Sequence, residues 1–250
     1  HSLRRRQRQM CIRDSDEYIH QAISLIAQAI KIEHAVELIE TQGIVPLYYY
    51  LQKIREEGLR GKVKATKKLI EDEKFKEAYL RTLALIEQKI DHPKLSKLEE
   101  IVKDIISKDD DNKIIIFTQF RDSAEIIVER LNNLANVKAV MFVGQTKKRG
   151  VGLSQKEQIE ILNKFNNGEF NCLVSTSVGE EGLDISAVDY VIFYETVPSA
   201  IRHIQRRGRT GRHEKGNLIV LITENTRDEA YRWSAFHKEK RMIRLLKRLK

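Results

Sequence analysis

The sequence predicts an α/β chain, a parallel β-sheet with helices on both faces, preceded by an all-helical domain. Two observations predict it. Up to about residue 107, apolar residues recur at spacings of three and four, the period of a helix with one buried face. From Lys113 onward, short runs that are apolar throughout alternate with helical segments, the pattern of strands buried on both faces and joined by crossover helices. Between them, Ser107 to Asn112 contains no apolar residue and reads as a linker. The expected organisation is a tail over 1–15, a helical domain over 16–107 and the α/β domain over 108–250.

Taken in order, Ile19, Ile23, Ile26, Ala27 and Ile30 form a first helical stripe. Leu80, Leu83, Leu85, Ile86 and Ile90 form a second, and Leu95, Leu98, Ile101, Val102, Ile105 and Ile106 a third. Gly43 with Pro46, Gly58 with Gly61, and Asp91-His92-Pro93 read as breaks between helices. Ile114 to Phe117 follows as a strand, Ser123 to Leu134 as a helix and Val137 to Val143 as a strand. Ser154 and Glu157 have the spacing of a capping box, in which the hydroxyl and the carboxylate each satisfy a backbone N–H, and open a helix to Phe165. Asn171 to Ser175, Tyr190 to Tyr194 and Leu218 to Ile222 complete the strands, with a helix from Pro198 to Arg206 between the last two. Thr226-Arg227-Asp228-Glu229 caps a long final helix.

Composition narrows the class. The chain has 250 residues, 41% hydrophobic and 32% charged, an ordinary globular balance. No apolar run approaches the roughly 20 residues of a membrane span, and no signal peptide opens the chain. Cys11 and Cys172 are the only cysteines, too few for a disulfide framework or a cysteine-based zinc site, so no metal site of the chain's own is expected. Cys172 lies in an apolar run and reads as core. A cytoplasmic, nucleoid-associated protein with no membrane partner is the expectation. The net charge of +9 suggests a polyanion, yet residues 1–15 carry +4 of it and residues 237–250 carry +6, leaving the middle at −1. Any phosphate-binding surface there must come from local sorting of charge. Residues 1–15 use only arginine as a basic residue and show no period, so they are set aside as a tail, tag or artefact.

Three polar clusters fall where a parallel sheet holds its ligands, beyond the carboxyl ends of the strands. Thr118-Gln119-Phe120-Arg121 follows the first strand, Thr176 to Asp184 follows the third, and Gln205-Arg206-Arg207-Gly208-Arg209-Thr210-Gly211-Arg212 precedes the last. Hydroxyls at a strand end, followed by a helix start, offer donors to a sugar-phosphate backbone. Gly179 and Gly182 bracket two glutamates in a turn that can seat Asp184 near a ribose hydroxyl. Arg209 and Arg212, three apart, leave one face of a helical turn and can converge on one phosphoryl group. Singly, each cluster reads as a cap, a turn or a solvated basic loop rather than a site; their joint placement points to a phosphate-binding rim.

These clusters resemble motifs IV, V and VI of superfamily 2 helicases, and the sheet resembles their second RecA-like domain. Phe142-Val143-Gly144-Gln145, Lys147-Lys148-Arg149-Gly150, Ser177 to Asp184, Tyr194-Glu195 through Ile201, and Arg227 to Trp233 are similar to the archaeal Hef and Fanconi anaemia M type. In that family an all-helical insertion sits between two RecA-like domains, which suits residues 16–107. The resemblance implies that Arg209 and Arg212 act as arginine fingers on ATP, with Gln205 beside the γ-phosphate. It implies that Gly182 and Asp184 face the nucleotide, and that Thr118, Gln119, Phe120, Thr176 and Ser177 hold the nucleic-acid backbone. Lys62, Lys64, Lys67 and Lys68, with Arg60, would grip duplex or branch phosphates; the alternative is a solvated helix face.

An ATPase of this class also needs a P-loop and an acidic box for Mg²⁺. Gly61-Lys62 imitates the end of a P-loop, but residue 56 is Glu and residue 63 is Val. Asp228-Glu229-Ala230-Tyr231 imitates a DEAH box, but it lies after motif VI and opens a helix. The resemblance therefore implies a C-terminal motor half, inactive alone, of an ATP-dependent helicase on branched or forked DNA. Its ATP and Mg²⁺ would be held with the first RecA-like domain of the same parent, and a nuclease domain would be a further partner downstream. The alternatives are a Dicer- or RIG-I-like helicase half acting on double-stranded RNA, and a non-catalytic nucleic-acid-binding module.

Overall fold

The structure, a computed structural model, describes residues 2–61, 63–145, 152–176, 188–196 and 217–248. The chain divides into two compact units, His1–Ile90 and Asp91–Lys250.

The first unit is helical: α1 (Ser2–Thr41), α2 (Ile44–Leu59), α3 (Lys64–Glu71) and α4 (Glu73–Glu87). The segment expected as a tail is drawn as the start of α1. Gly43 ends α1, and its φ of 103° is one that a side chain would resist. Pro46 does not break a helix but sits in the first turn of α2, where the N–H it lacks has no helical partner anyway. Gly58 lies inside α2, and Gly61, with φ +67°, follows its end. Asp72, unremarked in the sequence, separates α3 from α4 by accepting the N–H groups of Lys74 (2.8 Å) and Phe75 (3.3 Å).

The core of this unit is Leu38, Leu47, Leu51, Ile54, Ala65 and Leu69. The first expected stripe is not in it. Ile19, Ile23, Ile26 and Ile30 of α1 are each more than half exposed. A half-open apolar cavity of about 490 Å³ lies among α1, α2 and α4, lined by residues including Ile32, Val36, Leu51, Ile54 and Phe75.

The second unit starts with α5 (Pro93–Lys108) and continues β1 (Ile114–Phe117), α6 (Arg121–Leu131), β2 (Ala139–Phe142), α7 (Gln155–Asn166), β3 (Cys172–Ser175), β4 (Tyr190–Phe193), β5 (Asn217–Val220) and a last helix, α8 (Arg227–Arg248). Every strand pairs in parallel, in the order β2-β3-β1-β4-β5. In register, Ile114 lies beside Cys172 and Tyr190, and Ile115 beside Leu173 and Val191. Alternate rows therefore face opposite ways. Ile114, Ile116, Cys172, Val174 and Ile192 pack with α5 and α6 through Leu98, Val102, Ala124 and Ile127. Ile115, Phe117, Leu173, Val191 and Phe193 pack with α7 through Leu162 and Phe165. The doubly covered parallel sheet is as the apolar runs predict.

The domain boundary is not. Expected at residue 107, it falls at Ile90–Asp91, because the apolar face of α5 belongs to the core of the sheet. The acidic stretch behind α5 is a tight turn into β1, in which Asn112 Nδ2 donates to the Ile105 carbonyl (3.2 Å) and Lys113 N–H to Asp189 (2.8 Å). The helix expected over Pro198 to Arg206 lies outside the described residues.

Candidate nucleic-acid interface

The sheet ends in one row, Phe142, Ser175, Phe117, Phe193 and Val220, so the residues that follow form a common rim. Thr118, Thr176 and Tyr194 are adjacent on it: Thr118 N–H donates to the Ser175 carbonyl (3.0 Å), Thr176 N–H to Phe142 (3.2 Å) and Tyr194 N–H to Phe117 (3.0 Å). Two of the three clusters read from the sequence thus meet at one edge.

Within that edge the expected contacts divide by depth. Gln119 and Phe120 are half-buried and reach the surface, where Phe120 is the residue that precedes α6. Thr118 is fully buried and Thr176 is 4% exposed. The hydroxyls expected to meet a nucleic-acid backbone therefore lie beneath the surface that Gln119 and Phe120 present. Among the described residues Thr118 Oγ1 has no hydrogen-bond partner, an unusual state for a buried hydroxyl. Ser177, Gly182, Asp184, Gln205, Arg209 and Arg212 lie outside the described residues, as does Lys62. Lys64, Lys67 and Lys68 all sit on the exposed side of α3, whose other side buries Ala65, Thr66 and Leu69. Lys67 stands 4.0 Å from Glu71; such an exposed pair leaves the ammonium available to other anions.

Several residues that build the rim have no role of their own in the sequence pattern, although Arg121, Gly144, Glu195 and Asp228 lie in runs singled out there. Glu195, buried directly after the apolar strand β4, accepts the N–H of Gln119 and so fixes the loop that leads into α6. A carboxylate at the amino end of α6 is also favoured by the helix dipole. Arg121 Nη2 donates to the Gly144 carbonyl (3.1 Å), and Gln158 Nε2 to the Val143 carbonyl (2.9 Å), which hold the loop after β2 against α6 and α7. On the far side, Asp228 is fully buried and paired with the ammonium of Lys94. It also accepts Thr223 N–H (3.2 Å), while Thr196 Oγ1 donates to the Asp228 carbonyl (2.7 Å). The N-cap of α8 is Thr226, whose Oγ1 accepts Asp228 N–H (3.3 Å). The DEAH-like run is thus a helix start and an interior ion pair. Tyr194 lies beside Lys94, 5.6 Å from ammonium to ring centre, and burial, with Glu195 behind it, pushes its phenol well above the ordinary value.

The rim can present backbone and side-chain donors to a sugar-phosphate chain without reading bases. Among the described residues no group of three or more His, Cys, Asp or Glu gathers to hold a metal ion. No helix among them is long and apolar enough to cross a membrane.

The parallel sheet and its rim fall largely within residues 94–214, which match the family described as the helicase conserved C-terminal domain. Residues 10–92 match the helical-bundle family of ATP-dependent RNA helicases, which takes in part of the segment set aside as a tail. A Methanocaldococcus jannaschii protein named as an ATP-dependent RNA helicase is 46% identical over 234 residues, 94% of this chain and 29% of its own length. The Neurospora crassa ATP-dependent DNA helicase mph1 is 40% identical over 212 residues, 79% of this chain and 18% of its own. The crystal structure of the Pyrococcus furiosus Hef helicase domain, 49% identical, superposes with a TM-score of 0.64 over 84% of this chain and 42% of that one. The chain belongs to the superfamily 2 helicases of the Hef and Fanconi anaemia M type. It spans about a third or less of the curated relatives' length.

Proposed function

We propose that this chain is the C-terminal motor half of an ATP-dependent DNA helicase or translocase that acts on forked or branched DNA. The observation that carries the proposal is the convergence of two motif-bearing strand ends on one rim of a Hef-type fold. In this reading Gln119 and Phe120 touch the nucleic-acid backbone, and Thr118, Thr176 and Ser177 support or join them. Gly182 and Asp184 face ATP, Gln205 lies by its γ-phosphate, and Arg209 and Arg212 neutralise charge on the phosphoryl group in transfer. Bound ATP would supply the phosphoryl transfer that drives translocation. Its phosphates and Mg²⁺ require the P-loop and acidic box of a first RecA-like domain, since this sequence has neither.

The expected outcome is no ATP turnover by the 250-residue chain, with or without DNA. In the intact parent, Arg209→Ala should lower the ATPase rate by about 10³-fold or more while DNA affinity stays nearly unchanged. A steady ATPase signal from the purified chain, or equal losses of binding and turnover in that variant, would sink the reading. A second reading is favoured by the name of the Methanocaldococcus relative, an RNA helicase. Competition between forked DNA and double-stranded RNA for the parent protein separates the two.

A further inference from the structure

The last helix, α8, has two faces with opposite character. Asp228 and Ala235 are buried on one. On the other, Trp233 is 61% and Phe236 44% exposed, neighbouring rings with centres 6.3 Å apart. Trp233 stacks on His237, ring centres 5.9 Å apart and planes at 24°, and Phe236 stands edge-on to both, at 84° to Trp233 and 70° to His237, so the three rings form one aromatic cluster. The ammonium of Lys240 stands 4.3 Å from the Phe236 ring centre. At roughly 100° per residue, Trp233, Phe236, His237, Lys240, Arg241 and Arg244 fall within an arc of about 140°, opposite the buried face. From residue 230 to the end, Glu239 is the only carboxylate among eight Lys and Arg.

We propose that this outward face of α8 is a second nucleic-acid contact, a platform on which Trp233, His237 and Phe236 stack unpaired bases while Lys240, Arg241 and Arg244 neutralise the adjoining phosphates. The clustered cations favour a polyanion, and the aromatic rings beside them favour one whose every unit carries a π-face, which a nucleic acid supplies and an acidic peptide does not in general. Duplex hides its base faces in the stack, so the fit is to a single strand. A helix that lies on a membrane segregates cations to one side and apolar residues to the other; on α8 the cations and rings share one stripe. The inference rests on the nucleic-acid-directed reading above, but on a surface formed by α8 and not by the sheet rim.

Trp233 is the only tryptophan, so its emission reports on this face alone. The 250-residue chain is titrated with oligo-dT, blunt duplex, heparin and phosphatidylserine vesicles while Trp233 emission is followed, with anisotropy of a labelled oligo-dT as the binding readout. Strong quenching by oligo-dT, little by heparin or duplex and no blue shift with vesicles is expected. Trp233→Ala should weaken oligo-dT binding by roughly 5- to 150-fold, the range for loss of one stacked base, and Trp233→Phe should retain most of the affinity. Lys240→Ala with Arg244→Ala should flatten the log–log salt dependence by about 0.7 for each phosphate no longer neutralised. Binding of oligo-dT with unchanged Trp233 emission overturns the platform and leaves the helicase reading, judged by the parent's ATPase, intact. Equal quenching by heparin, a vesicle-induced blue shift without quenching by oligo-dT, or no binding at low salt also overturns it.

Discussion

A carboxylate removed from water needs a cation and donors, and Asp228 has the Lys94 ammonium and the Thr223 N–H. Breaking one side of such a pair strands the other, and the loss exceeds what the pair itself contributes. Lys94→Met should therefore destabilise the chain by about 3–5 kcal/mol, read from the urea midpoint; a loss under about 1 kcal/mol would show that Asp228 finds other support. The sequence reads Asp228 only as part of a helix start, because its partner lies on a distant helix and nothing local announces it. Cys172 was legible, a thiol in an apolar run, and burial pushes its pKa well above the usual value. The sign follows: the folded thiol stays protonated while the unfolded one ionises near pH 8.5. Its stabilising contribution is complete below that pH and is lost as pH rises above it. Iodoacetamide at pH 8.5 should leave the Cys172 peptide unmodified in mass spectra until denaturant is added. Rapid modification of the folded chain would mean that β3 is open to solvent.

At the scale of elements, local chemistry was the most legible. The Ser154–Glu157 capping box is present in both directions, with Ser154 N–H donating to Glu157 (2.7 Å) and Glu157 N–H to Ser154 Oγ (3.3 Å). Strands apolar on both faces were equally plain. Glycine was less so, since it serves both a break and a close approach. Gly61 ends α2 with a positive φ, whereas Gly58 is helical and lies where α3 approaches α2: a Cβ there would stand 2.6 Å from Ile70 Cδ1 and 2.9 Å from its Cγ1. Helix propensity alone would make Gly58→Ala stabilising by roughly 1 kcal/mol. Overpacking against a β-branched neighbour reverses the sign, so a net loss of about 1–3 kcal/mol is expected. Ile70→Val in the same chain should recover part of it. Thermal or urea unfolding decides the matter, and a more stable Gly58→Ala chain would show that α2 and α3 separate readily.

For the whole molecule, periodicity shows that a helix buries one face but not what covers it. The stripes of α1 and α5 look alike in sequence; the first is exposed at Ile19 to Ile30, while the second closes one side of the sheet. Polar residues at 107–112 suggested a boundary because a linker and a tight turn share a composition. Gly182, Asp184, Gln205, Arg209 and Arg212, expected to face a nucleotide from their spacing and from motif resemblance, lie outside the described residues. The boundary can be tested by truncation. Residues 91–250 retain α5, whereas 108–250 lose Leu95, Leu98, Val102, Ile105 and Ile106, all buried, and uncover Ile114, Ile116, Val174 and Ile192. At about 1.5–3 kcal/mol for each buried side chain, the loss is on the order of 10 kcal/mol, comparable with the whole stability of a typical domain. The longer piece should unfold cooperatively with a near-ultraviolet circular dichroism signal. The shorter should lose that signal and bind the dye ANS, as chains without fixed packing do. Equal cooperativity in the two would return α5 to the helical domain and put the boundary back at residue 107.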